Sequence, residues 1–239
     1  MAGVDSRGHR EPAPEPPGLA RRVVAVARDQ GLRRLAAGAL AHLGYRRMIV
    51  FERSLRDLPP PRVPPPGATV ERLDAAAVDD YLRLRPDTPA SRVRARLAAG
   101  CVCHAVRFQG NLVAAGWTGS GRVRVDYFDA DVDFPAGVAY YHDMYSVASW
   151  RSRGIGTILV SHQLAALAAA GLDRIHGASV PENRASIRVC LKLGYHAHEW
   201  LVAIGYAGAR RIVRRPWRGP PLTLDSAIAR RNASARAER

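Results

Sequence analysis

Residues 138–160 constrain the fold most. They read Val-Ala-Tyr-Tyr-His-Asp-Met-Tyr-Ser-Val-Ala-Ser-Trp-Arg-Ser-Arg-Gly-Ile-Gly-Thr-Ile-Leu-Val. An apolar, aromatic run ends near Val147, a short turn follows, and Arg151-x-x-Gly154-x-Gly156 leads into a helical pattern. This is the pattern of a strand, a phosphate-sized loop and a helix N-terminus. The first-turn N–H groups of a helix have no partner inside it. The helix dipole adds partial positive charge at the same end. Together they suit an anion such as a pyrophosphate. Gly154 and Gly156 carry no side chain to hold a phosphate off the backbone. An ordinary strand-to-helix turn has the same outline, so the loop alone decides little.

A second block adds the missing context. Val180-Pro-Glu-Asn183-Arg-Ala-Ser186 continues through Cys190 to Leu193-Gly194-Tyr195. The two blocks, in this order and spacing, resemble the GNAT superfamily of N-acetyltransferases over roughly residues 68–206. The resemblance implies an α+β fold, with a mixed, mostly antiparallel sheet splayed at its centre and helices on both faces. It implies that the splay lies between strands at 138–147 and 174–180. It also implies acetyl-CoA as cosubstrate, held by Tyr145, Val147, Arg151, Ser152, Arg153, Gly154, Ile155, Gly156, Thr157, Asn183 and Ser186. The acyl-pantetheine arm would enter the splay and pair with backbone near Tyr145 to Val147.

The rest of the chain reads around that frame. Residues 1–18, rich in Pro and charge, are expected to be disordered. Residues 19–57 form an extension: an amphipathic helix over 19–43, then a strand from Tyr45 to Phe51 that adds to the sheet edge or pairs with a partner. Leu58-Pro-Pro-Pro-Arg-Val-Pro-Pro-Pro-Gly67 is an extended linker separating the extension from the core. The acyltransferase domain spans 68–215. It is read as a strand at 68–73, helices from Asp74 and Thr88, strands at 101–108, 112–118 and 122–128, and then the organising strand. A helix at 154–170, a strand at 174–180, the Asn183 helix and strands at 196–204 and 209–214 complete it. Residues 216–239 are a basic tail with a short helix at 225–231.

The formal charge of +15 is unevenly placed, since residues 61–206 hold 16 basic against 13 acidic side chains. The basicity sits in the flanks. It matches a bias toward Arg better than a nucleic-acid surface, because Lys192 is the single lysine. Three cysteines without framework spacing fit a reduced, cytoplasmic compartment. No apolar stretch reaches the ~20 residues of a membrane span. A homodimer is one open state of assembly.

Acyl transfer needs a neutral amine, donors for the tetrahedral oxyanion and a proton for the leaving thiolate. Backbone N–H groups near Val147 are the expected oxyanion donors. The base candidates are Asp143, Glu182 and His142. Strand alternation puts Asp143 on the face of Tyr141 and turns His142 the other way. Asp143 is the first choice, with a structural carboxylate as its alternative. The resemblance places a tyrosine acid where this chain has Cys190, so the thiol, Tyr140, Tyr141 or Tyr145 is the proton source. His196-x-His198 offers two metal ligands without a third, so no metal is expected. Asp126, Asp129, Asp131 and Asp133 would favour a cationic acceptor, and the leading function is N-acetylation of a small-molecule amine. The alternatives are a longer acyl donor, free or on a carrier protein, and a non-catalytic CoA-binding module.

Overall fold

The computed structural model describes residues 38–206 and 210–224. The chain divides into two compact units, 1–42 and 43–239, and the second carries everything below. Of the helix expected over 19–43, residues 38–42 are helical and the remainder lies outside the described residues, as does the helix expected at 225–231.

The strands are β1 (Tyr45–Ser54), β2 (Ala68–Leu73), β3 (Val102–Phe108), β4 (Asn111–Ser120), β5 (Arg122–Val125), β6 (Ala130–Asp133), β7 (Val138–Ser146), β8 (Arg174–Ser179), β9 (His196–Ile204) and β10 (Arg211–Pro216). The helices are α1 (Val78–Leu84), α2 (Ala90–Ala98), α3 (Ile155–Ala169) and α4 (Arg184–Lys192). Among the described residues, eight strands form one mixed sheet in the order β10-β9-β1-β8-β7-β4-β3-β2, and β5 and β6 form a separate hairpin.

Asp74 starts the first helical segment as expected: its Oδ1 accepts from the N–H groups of Ala76 and Ala77 at 2.9 and 3.2 Å. Pro89, not Thr88, stands at the N-cap of α2, with no side-chain cap. Proline suits a helix start because the N–H it lacks would have had no intrahelical partner there.

Strand β1 corrects the sheet-edge expectation. It runs antiparallel to β8 on one side and to β9 on the other, inside the sheet. Its sequence explains the position. Met48, Ile49, Val50 and Phe51 are four consecutive buried apolar residues, so both faces of the strand must be covered. Ile49 and Phe51 pack with α3 and α4 residues such as Val160, Leu164 and Ile187. Met48 and Val50 pack on the opposite face with Val125, Phe128 and Val132 of the hairpin region. Helices α1 and α2 share that second face, where Tyr81 and Val93 cluster with Trp117 of β4.

The parallel pairing of β7 with β8 runs from Val138–Arg174 to Tyr141–Gly177. Strand β7 then continues to Ser146 paired with β4 alone. The sheet therefore opens at its centre.

Candidate active site

The loop beyond β7 is built to leave donors exposed. Val147 leads into a 3-10 turn over Ala148–Trp150. Ser152 and Gly154 then take left-handed backbone conformations, with φ of 63° and 78°. Gly154 adopts this without strain and forms the N-cap of α3, where no side chain caps the helix. Its carbonyl accepts from the N–H groups of Thr157 and Ile158 at 2.9 and 3.0 Å. Among the described residues, no carbonyl accepts from the N–H of Ile155 or Gly156. Gly156 lies so close to β7 that a Cβ there would sit 3.3 Å from Met144 Sδ. Arg151 and Arg153 flank this turn, each exposed, over the rings of Tyr145 and Trp150. The loop thus offers unpaired amides, a helix N-terminus and two guanidiniums at the open end of the sheet.

Asn183 holds the second block together by capping α4. Its Oδ1 accepts from the N–H of Ser186 at 3.2 Å. The two residues expected to touch the cosubstrate are thereby bonded to each other.

The catalytic face departs from simple alternation. Trp117 pairs with His142 and Ala115 with Tyr145, so β7 carries one extra residue between them. Asp143 sits in this bulge with φ of 52°, a conformation uncommon for a residue other than glycine. The bulge turns Asp143 toward α1 and α2, away from Tyr141. Arg85 Nη1 donates to it at 2.8 Å, Arg96 Nη1 at 2.7 Å, and the Tyr81 hydroxyl at 3.3 Å. Burial alone would raise the Asp143 pKa, but the Arg96 and Arg85 guanidiniums outweigh it and hold the carboxyl below its ordinary value. Both carboxylate oxygens of Asp143 already accept hydrogen bonds, Oδ1 from Arg85 and Oδ2 from Arg96 and Tyr81. Asp143 is thus ion-paired and hydrogen-bonded in this structure, which tells against its choice as base. Glu182 pairs with Arg47 at 3.5 Å.

His142 lines the cavities instead of packing away from them. Its ring lies parallel to Tyr140, with centroids 5.6 Å apart, and its buried Nε2 has no hydrogen-bond partner. Burial, reinforced by Arg96, pushes its pKa down to about 4, so the imidazole is neutral at physiological pH. A cavity of about 790 Å³ opens between α2 and the β5–β6 hairpin, lined by Arg92, Arg96, Arg124, Asp126, Asp131 and His142. A smaller one of about 210 Å³ adjoins it through Arg96, Asp126 and His142 and reaches Asp143.

Of the four carboxylates expected to attract a cation there, Asp126, Asp129 and Asp131 are paired. Asp126 bonds Arg96 at 2.7 Å and faces Arg92 at 3.6 Å. Asp129 pairs with Arg124, and Asp131 lies 3.7 Å from Arg122. Guanidiniums therefore offset three of the four carboxylates along the wall.

The other face holds Tyr141, Cys190 and Tyr195. The Tyr141 and Tyr195 hydroxyls are buried and have no hydrogen-bond partner. Burial, then the neighbouring Tyr195 and Cys190, push the Tyr141 pKa well above its ordinary value. Burial pushes the Cys190 thiol up to about 12. The N–H of Val147 donates to Val113 O at 3.0 Å, so it is not an available oxyanion donor.

The loop, the central opening and the strand order can now be set beside known proteins. Residues 70–195 match the family model described as the acetyltransferase (GNAT) family. The chain belongs to the GNAT acetyltransferase family. It shares its fold with a GCN5-related N-acetyltransferase from Sphaerobacter thermophilus, at 17% identity and a TM-score of 0.50, over 80% of this chain and 58% of that one. A putative GNAT acetyltransferase from Novosphingobium aromaticivorans aligns at 20% identity and a TM-score of 0.47, over 66% of this chain and 65% of that one. In both cases the alignment spans less than two thirds of the relative's own length. No curated protein matches the sequence. Among the described residues, no helix is long and apolar enough to cross a membrane.

Sequence reasoning missed Arg85 and Arg96 as members of the site. The only local signal was Arg96 on the apolar side of a short helix, where it is 6% exposed.

Proposed function

We propose that this GNAT protein transfers an acetyl group from acetyl-CoA to a primary amine of a small molecule, by direct transfer within a ternary complex. The observation that carries this reading is the uncapped start of α3, placed beside the point where β7 and β8 part. The amides of Ile155 and Gly156, with Arg151 and Arg153, bind the pyrophosphate. Ser152 and Thr157 border it. The pantetheine arm follows the free edge of β7 by Tyr145, and Asn183 with Ser186 holds α4 along the arm's other side.

The amine arrives through the cavity between α2 and the hairpin. Its nitrogen attacks the thioester carbonyl, the N–C bond forms, and the C–S bond breaks as the tetrahedral intermediate collapses. Val147's N–H faces β4, so alternation turns the N–H of Ser146 toward the opening, where it can serve the oxyanion. The unpartnered Nε2 of His142 accepts the proton that the attacking nitrogen sheds. The departing thiolate takes a proton from the Tyr141 hydroxyl, which solvent then restores. Holding thioester and amine in register supplies most of the acceleration, up to about 7–11 kcal/mol in well-oriented systems.

The test is coenzyme A release from acetyl-CoA across a panel of amines, with Gly156→Glu as control. Release with an amine, lost in the variant, is expected. If calorimetry finds no binding of acetyl-CoA or longer acyl-CoAs, the reading fails.

A further inference from the structure

Away from the open end of the sheet, strand β1 brings together residues that the sequence keeps far apart. Glu52 is the direct cross-strand neighbour of His176 on β8 and of His196 on β9. The β1–β9 register shifts between Val50 and Phe51: Phe51 pairs with Ala197 and Val50 with Glu199, so His198 is the extra residue of a bulge. Bulges of this kind re-aim a side chain. One donor atom from each of Glu52, His176 and His198 falls in a group whose members all lie within 4.8 Å of one another. The His176 and His198 rings are 5.2 Å apart, and His176 Nε2 sits 2.9 Å from Glu52 Oε2. His196 Nε2 is 3.8 Å from Glu52 Oε1.

We propose that Glu52, His176 and His198 bind one divalent transition metal ion, with Zn²⁺ the best fit to two imidazoles and a carboxylate. Zinc takes imidazole nitrogen and carboxylate oxygen at about 2.0–2.2 Å, which sets tetrahedral ligand atoms about 3.4 Å apart. The three donors lie within 4.8 Å of one another, so an ion would draw them closer by side-chain rotation. Water fills the fourth position, or His196 does. The ligands come from three adjacent strands, and the middle one is β1. The ion would pin β1 between β8 and β9, a role independent of the acyl-transfer reading.

Two further features bear on the site. His176 is 3% exposed, walled on one side by the Phe134 ring at 6.1 Å, so this donor is held before any ion arrives. Arg174 Nη1 lies 3.4 Å from Glu52 Oε2 and competes with a cation for that carboxylate, but its side chain is half-exposed and can swing out.

The experiment uses the full, untagged chain stripped with a chelator. Zn²⁺ is titrated by calorimetry, and Co²⁺ by its visible absorption. Expected are one equivalent bound, a rise in Tm on adding Zn²⁺, and at least a tenfold loss of affinity in His198→Ala. His198 is exposed, so that variant folds even if substitutions at His176 do not. Absence of saturable binding, or unchanged affinity in His198→Ala, overturns the proposal.

Discussion

The two ends of the active site are built on opposite principles. At the start of α3 the chain leaves its polar groups unspent: the amides of Ile155 and Gly156 have no acceptor within the described residues, and two arginines stand exposed beside them. Across the sheet, between α2 and the hairpin, the charges are already matched. Asp143 is held by Arg85 and Arg96, and Asp126 by Arg96. A surface with unspent donors binds a ligand that brings the missing charge. A surface of matched charges holds its own shape, and a ligand must compete with existing bonds to gain from it. On the proposed function, the first end would fit a pyrophosphate whatever acyl group it carries. On the same proposal, the second would select the acceptor through the form of the wall.

The largest expected effect comes from unmatching the matched side. Arg96 is buried and bonds two carboxylates, so Arg96→Met leaves Asp143 with Arg85 alone and Asp126 with the more distant Arg92. Breaking a buried pair by removing one partner costs about 3–5 kcal/mol. Urea unfolding of Arg96→Met should show a loss of that order. A loss below about 1 kcal/mol would mean that the network is exposed enough for water to replace it. The complementary change at the other end is Gly156→Glu. A side chain there meets Met144 at 3.3 Å and sets a carboxylate among the amides that await an anion. Affinity for acetyl-CoA, measured by calorimetry, should fall at least about a hundredfold, or about 2.7 kcal/mol. Unchanged affinity would show that the loop is not the anion site.

The same contrast explains what could be read from the chain alone. The loop is local: strand, turn and helix start occupy consecutive residues, and two glycines mark where the backbone must turn and be approached. Such signals survive in a linear reading, and the general order of elements came with them. The matched side is assembled from Arg85, Arg96, Asp126 and Asp143, on four different segments, and only the tertiary fold brings them together. Asp143 was misplaced because alternation assumes an unbroken strand. Its left-handed bulge has no glycine to announce it. Strand β1 was legible as a strand, but a strand does not state its neighbours. Four consecutive apolar residues did indicate burial on both faces, which an edge position cannot supply.

A smaller effect follows from His142. Its folded pKa, pushed down to about 4, lies below the ordinary value of 6.5. The unfolded chain therefore takes up a proton first as pH falls. The sign is fixed: stability is fully present above about pH 6.5 and is lost as pH drops toward 4. The slope is at most about 1.4 kcal/mol per pH unit for one group. His104, also pushed down to about 4 by burial, titrates in the same window. Burial holds His176 below its ordinary value too, so His142→Gln should remove a part, not all, of the stability lost between pH 7 and 5.5. It should also lower turnover, since Gln offers no ring nitrogen to the attacking amine. A stability–pH curve identical to wild type would show that the imidazole is already solvated in the folded protein.

The smallest effect is expected at Cys190. The thiol occupies the α4 position where the family resemblance anticipates a proton donor, and it sits among Ile187, Leu193 and Tyr195 in the core. Burial pushes its pKa up to about 12, far above an ordinary thiol near ~8.5. Burial raises the Tyr141 pKa as well, so what separates the two groups is place: the thiol packs among apolar side chains of α4 and the core, whereas the Tyr141 hydroxyl is an unpartnered polar group on β7. Cys190→Ala should therefore cost less than tenfold in kcat, under about 1.4 kcal/mol. Tyr141→Phe, which deletes the unpartnered hydroxyl on the same face, should cost more. If the order is reversed, the thiol and not the phenol meets the leaving group, and burial at α4 must relax when acetyl-CoA binds.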